Sequence, residues 1–294
     1  VTDLLLLAEH SILGIDNLSL GQPAPAERPG LAFERLDVRD EARLSSVLEA
    51  FRPDHVVHLA AIHHIPTCEA RPAEALHVNV VGTQIVLDAA ARARCSRIVI
   101  ASSGAVYEWG TDTLREASSP TRPCDVYSAS KLMNEHQARV WQDKHRGVVI
   151  VARLFNTIGP GDRNGHLVPQ LVAQLRGDGG HGERVVLIGN TLPMRDYVHV
   201  DDIASGLQRM VDVAITPGFH VINLGSGIEH TVSTIVAELA AIIGVRYRLE
   251  ADASRVRRID RLHQCADISL AAEVLSWHPR YALGEALRRT IEEA

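Results

Sequence analysis

The residues in this chain best suited by type and spacing to do chemistry are Tyr127 and Lys131, with Ser103 a short way upstream. After the turn-rich run PTRPCD, the segment YSASKLMNEHQARVWQ carries Leu132, Ala138 and Val140 among polar residues, and little in it breaks a helix. A helix starting near Tyr127 is expected. Residues four apart share a helix face, so the Tyr127 hydroxyl and the Lys131 ammonium reach one site. A phenol of reference pKa ~10 is a poor base at neutral pH, and an adjacent cation favours its phenolate. With the Ser103 hydroxyl added, the site holds an alcohol while a proton leaves and a hydride departs from the same carbon.

The chain of 294 residues is 46% hydrophobic and 22% charged, the composition of a soluble globular protein of one large or two modest domains. The run LLLLA, Leu4 to Ala8, falls far short of the ~20 residues of a membrane span, and no basic segment precedes it as in a signal peptide. A net charge of -6 argues against a nucleic-acid partner. Cys68, Cys95, Cys124 and Cys265 show no CxxC spacing, so a reducing cytoplasm is the expected compartment. His63 and His64 stand near His58 and Cys68, but adjacent side chains on an extended stretch point opposite ways, so no metal is expected.

The elements that position these residues alternate. VTDLLLLAEH reads as helix and SILGIDNLS as a strand ending in Asp16. LAFERLDVRD is a strand ending at Asp37, EARLSSVLEAF a helix, HVVHLAA a short strand and HVNVVGTQIVLDAAARA a helix. RIVIASSGAVYE is a strand running into Ser102, Ser103 and Gly104, and VVIVARLFNTIGPGD is another, beyond the Tyr127 helix. Strands alternating with helices predict an α/β fold, a parallel sheet covered on both faces. Ligands of such sheets sit at strand carboxyl ends, where Asp16, Asp37, Ala60, Ser103 and Asn156 fall. Asp16 suits either an adenosine ribose hydroxyl or a strand-end turn. Past Phe155 the pattern changes without a linker: helix HLVPQLVAQLRG, strand RVVLIGN, MRDYVHVDDIASGLQRM as strand into helix, strand FHVINLGSG, helix TVSTIVAELAAIIG, then a linker, a short helix, a Trp277–Pro279 turn and a closing helix.

In order and spacing, GIDNLS, LDVRD, HLAA, NVVGT, ASSGAVYE, YSASK, RLFNTIGPGD, RDYVHVDD, NLGSG and ADISLAAEVLSWHP resemble the extended short-chain dehydrogenase/reductase family, in its nucleotide-sugar epimerase/dehydratase branch. The resemblance spans nearly the whole chain. It implies a Rossmann-type doubly wound sheet over residues 1–155, with a first strand and GxxGxxG turn upstream of Val1. It also implies a smaller α/β substrate domain over 156–294, with segments returning to the first. By matching motif, Tyr127 is the catalytic base, Lys131 lowers its pKa and holds the nicotinamide ribose, and Ser103 hydrogen-bonds the reacting oxygen. For NAD, the resemblance implies Asp16 and Asn17 at the adenosine ribose, Asp37 and Val38 at the adenine, and Leu59, Ala60 and Ala61 along the diphosphate. Ser102 falls on the cofactor side, and Asn79 matches either a cofactor-site polar residue or a helix start. For the sugar nucleotide it implies Asn156, Arg195, Arg257 and Asp260, Arg suiting phosphate through paired hydrogen bonds. Arg257 equally reads as a solvated charge in a basic run. His166, with Leu167 beside it, and Trp109 match contacts to the base and the sugar, or surface packing.

The residues after Ser103 separate the branches. In this family 4,6-dehydratases carry Asp-Glu there and decarboxylases a Glu; this chain has Gly104 and Ala105, which move no proton. The expected activity is therefore NAD-dependent epimerisation of a UDP- or dTDP-sugar, at carbon 4 through a keto sugar. The alternatives are an NAD(P)-dependent ketoreductase or dehydrogenase, then a 4,6-dehydratase or decarboxylase, and a non-catalytic cofactor-sensing relative. Asp16 favours NAD over NADP, because a carboxylate repels a 2′-phosphate. The family commonly pairs through the NVVGT and YSASK helices, so a homodimer is expected.

Overall fold

The computed structural model describes every residue except 21–22, 109, 111–112, 163, 178–181, 257–261 and 293–294. The first half runs α1 (Thr2–Leu7), β1 (Ile12–Asp16), β2 (Leu31–Arg35), α2 (Glu41–Phe51), β3 (His55–His58), α3 (Ile65–Ala70), α4 (Pro72–Leu76), a π-helical turn (His77–Val81), α5 (Gly82–Arg92), β4 (Arg97–Ser103), α6 (Val126–His145) and β5 (Val148–Leu154). The second half adds β6 (Asn156–Ile158), α7 (Leu167–Arg176), β7 (Arg184–Ile188), β8 (Met194–His199), α8 (Val200–Asp212), β9 (Gly218–Leu224), β10 (Glu229–Thr231), α9 (Val232–Ile243), β11 (Tyr247–Ala251), α10 (Ser269–Leu275) and α11 (Leu283–Glu292).

The central sheet is parallel, in the order β3-β4-β5-β9, and β1-β2 form a second parallel pair. RIVIASS and VVIVARL are near-continuous apolar runs because both faces are covered. The pleat divides them. Ile98 and Ile100 pack with Leu87 and Ala90 of α5 and with Ala138 and Trp141 of α6, while Val99 and Ile150 pack with Ile203, Leu207 and Met210 of α8 and with Trp277. Thus β9 and α8, from the second half of the chain, complete the first sheet and its cover.

The remaining strands form smaller sheets. β8 lies between β6 (parallel) and β10 (antiparallel), and β7 pairs with β11. Leu171 and Leu175 of α7, Ile235 and Leu239 of α9 and Leu287 of α11 close a second core over Val186, Ile188 and Tyr197.

Most expected elements are present. The sequence reading left α3, α4, β10 and β11 unassigned. α3 and α4 each open on a proline in the first turn and run only six and five residues, too short to show a helical period.

Candidate active site

The site forms where β4 ends against the start of α6. The Asp125 carboxylate accepts from Ser128 N at 2.7 Å and the Ser128 hydroxyl accepts from Asp125 N at 3.2 Å, a reciprocal cap that places Tyr127 in the first turn of α6. β4 delivers Ser103, whose Oγ accepts from Ala105 N at 3.1 Å and is hydrogen-bonded to the Tyr127 phenol. Lys131, one turn on, is 3% exposed and donates from Nζ to the Ala101 carbonyl at 2.8 Å. Its ammonium stands 6.0 Å from the centre of the Tyr127 ring.

Burial dominates both titrations. It pulls Lys131 down to about 8, and it pushes Tyr127 up to about 12 against the lowering effect of the Ser103 bond. At Tyr127 desolvation is the largest cause, and the Lys131 ammonium is not among the groups that set its direction.

Asn79 couples the loop after β3 to this helix. Its Oδ1 accepts from Ile62 N at 2.8 Å, and its Nδ2 donates to Ile62 O at 2.9 Å and to Ser130 Oγ at 3.0 Å. Asn79 is fully buried and its amide oxygen and nitrogen are both engaged, so it ties this loop to α6. Ser102 is also buried. It shares the face of Ile98 and Ile100, and its hydroxyl donates to Glu135 at 2.5 Å within a buried network that includes the Arg153–Glu135 ion pair at 2.7 Å.

On the cofactor side, Asp16 is exposed at the end of β1, one oxygen accepting from Leu18 N at 2.6 Å. Asn17 donates to Asp37 at 3.0 Å. The Asp37 carboxylate is held well below the usual range, chiefly by its hydrogen bonds from the Arg39 side chain at 2.8 and 2.7 Å. Val38 packs under Gly82, where a Cβ would stand 2.9 Å from Val38 Cγ2. Leu59 is 43% exposed at the end of β3, followed by the small Ala60 and Ala61. An exposed apolar ledge, small residues and a carboxylate with a spare oxygen, all at strand carboxyl ends, fit a dinucleotide.

Of the substrate-side residues, Asn156 Nδ2 donates to Asp196 O at 3.0 Å and Arg195 Nη1 to Met194 O at 2.9 Å. His166 caps α7, with Nδ1 2.8 Å from Asp162 Oδ2, and Leu167 follows as its first helical residue. Trp109, Arg257 and Asp260 lie outside the described residues.

The residues the sequence reading passed over are Asp162 and the histidine pair's true disposition. The rings of His63 and His64 both approach His166, with centroids at 5.3 and 5.5 Å, so they do not diverge as an extended stretch predicts. His58 turns inward to Thr83 Oγ1 at 2.9 Å. Among the described residues no group of three or more His, Cys, Asp or Glu side chains has the geometry to hold a metal.

A parallel sheet covered on both faces, with Ser103, Tyr127 and Lys131 gathered at its strand ends, is the architecture of the Rossmann class. The chain belongs to the NAD dependent epimerase/dehydratase family, whose profile matches residues 1–225, and NAD is the cofactor of that family. It is 32% identical over 267 residues to dTDP-glucose 4,6-dehydratase of Streptomyces antibioticus, covering 90% of this chain and 76% of that protein. It is 30% identical over 271 residues to UDP-glucose 4-epimerase of Yersinia pestis, covering 85% and 78%. Among solved structures, MoeE5 in complex with UDP-glucuronic acid and NAD aligns with a TM-score of 0.86 at 28% identity, over 99% of this chain and 93% of that one.

Proposed function

We propose that the protein is an NAD-dependent epimerase of a nucleoside-diphosphate sugar, acting at carbon 4 through a keto sugar. The observation that carries this reading is the trio Ser103, Tyr127 and Lys131 followed by Gly104, where no acid or base stands. The Phe155 ring closes that position: a Cβ on Gly104 would meet its Cζ at 3.0 Å. The acidic pair that eliminates water in the related dehydratases has no counterpart after Ser103.

Asp16, the Leu59–Ala61 ledge and Lys131 hold the cofactor. A bound NAD would supply the hydride acceptor and donor for the reacting carbon, and positive charge at that end of the site. Ser103 orients the sugar hydroxyl, Tyr127 accepts its proton and later gives it back, and Lys131 stabilises the phenolate as charge develops. Arg195, Asn156 and the start of α7 at His166 and Leu167 receive the nucleoside diphosphate, leaving the sugar free to turn.

The test is a panel of UDP- and dTDP-sugars with NAD, read by NMR and absorbance. A changed configuration at carbon 4 without net NADH supports the epimerase, a 4-keto-6-deoxy sugar establishes a dehydratase instead, and stoichiometric NADH a dehydrogenase. No helix among the described residues is long and apolar enough to cross a membrane. With four free cysteines the enzyme suits the reducing cytoplasm, where we place it. We also infer a homodimer through α5 and α6, whose outer surface exposes Met133 and Val140 beside Val81. A monomeric mass by light scattering would contradict it.

A further inference from the structure

We infer that a cavity at the N-terminal end of the central sheet is a second anion site, separate from the catalytic one, that takes a small phosphate-bearing molecule. Its volume is about 490 Å³, and its walls are the residues that lead into β3, β4, β5 and β9. That volume lies within the ~300–1,000 Å³ of small-molecule sites. β4 runs from Arg97 at this end to Ser103 at the other, about 20 Å away at ~3.3 Å per residue. A ligand held here is therefore remote from the reacting groups.

The lining is one-sided in charge. It includes His55, Arg94, Arg97, His145 and Arg146, and no aspartate or glutamate. Arg94 and Arg146 stand exposed just beyond the ends of α5 and α6, and their guanidinium groups make no hydrogen bond or ion pair among the described residues. His145 is held against the Trp141 ring, centroids 5.1 Å apart, and Trp141 is anchored by its Nε1 donating to Leu87 O at 3.0 Å. In the wall, His55 Nδ1 and Arg97 Nε are buried with no hydrogen-bond partner among the described residues. The competing role of such cations is to offset helix ends. Arg97 does so for α8, donating to Met210 O at 3.1 Å, Val213 O at 2.8 Å and Val211 O. The ends of α5 and α6 carry about half a negative charge each, against the two full charges of Arg94 and Arg146, so about one positive charge is left over. Asp54 and Asp212 act on His55, but Asp212 is engaged by His10 at 2.8 Å and Asp54 makes no ion pair among the described residues. Open guanidinium forks around a cavity without a carboxylate suit phosphate oxygens.

Calorimetry with pyrophosphate on the NAD-loaded protein, saturated with UDP to fill the catalytic cleft, tests this without turnover. One pyrophosphate per chain is expected to bind, and more weakly as salt rises. Arg94→Gln and Arg146→Gln, at exposed positions where the fold is kept, should each weaken it about tenfold, the size of one charge-assisted hydrogen bond. Arg195→Gln, on the substrate side, should leave it unchanged. Absence of binding, or binding that survives both cavity substitutions, overturns the inference and returns these cations to the helix ends. Loss of binding in Arg195→Gln also overturns it, by assigning the pyrophosphate to the catalytic cleft. Inorganic phosphate and ATP, used as further probes, separate a free anion from a larger ligand. ATP should bind at least tenfold more tightly, because the cavity has room beyond one phosphate, and a preference for inorganic phosphate would overturn the assignment to a phosphate-bearing molecule.

Discussion

Two buried cations lie on either side of the β4 terminus, and the protein treats them differently. Lys131 has a backbone carbonyl as its hydrogen-bond acceptor, and burial brings its pKa to about 8. Arg153 is 5% exposed and makes two hydrogen bonds with Glu135, at 3.0 and 2.7 Å, which more than offset its burial and raise its pKa. Both are gripped by α6, where Lys131 and Glu135 are one turn apart. The comparison separates a charge kept uncompensated, and therefore able to respond to a ligand, from a charge neutralised in place to hold strand to helix.

The sharpest way to break the comparison is to remove the responsive side. Tyr127→Phe should lower turnover about 10³-fold, and Lys131→Met about 10²-fold or more, in steady-state assays on the substrate found by the panel. Lys131→Met should also raise the thermal midpoint by a few degrees, because a buried charge without an anionic partner is lost. A lower midpoint would mean that the ammonium supports the fold.

On the compensated side, Glu135→Gln leaves the Arg153 guanidinium buried without its carboxylate and should cost about 3–5 kcal/mol in urea unfolding. A loss below about 1 kcal/mol would erase the distinction. Gly104→Asp supplies the missing acid but drives Phe155 aside, at about 1–3 kcal/mol of stability, and should produce no 4-keto-6-deoxy sugar.

The remaining effect is the pH dependence of stability. Folding lowers the Lys131 pKa from 10.5 to about 8, so between those values the unfolded chain binds the extra proton and stability rises with pH. The destabilising cost is fully present below about pH 8. The midpoint advantage of Lys131→Met over wild type should therefore shrink between about pH 8 and pH 10.5. A constant gap would refute the burial effect.

Much of this was readable from residue order. Buried strands such as RIVIASS and the spacing of Tyr127 and Lys131 are local signals, and motif order carried the family. What escaped depends on which side-chain partner each group finds in the fold. Asp37 was read as an adenine neighbour, yet its carboxylate is held by Arg39, and Ser102 turns to Glu135. The His63 and His64 rings meet His166, about a hundred positions away, through the fold of two loops. Desolvation of the Tyr127 hydroxyl was equally invisible, because spacing reports which groups share a face and not how much water surrounds them.

The return of β9 to the first sheet has a consequence for how the molecule is made. β5 pairs along its whole length with β9, from Val148 opposite Gly218 to Leu154 opposite Leu224. During synthesis the apolar β5 edge stays open until Leu224 has left the ribosome, while the intervening stretch containing α7, β7 and β8 emerges first. A chain stopped short of Gly218 would expose a ready template for intermolecular strand pairing. The sheet that carries Ser103 is thus completed late, after most of the polypeptide exists.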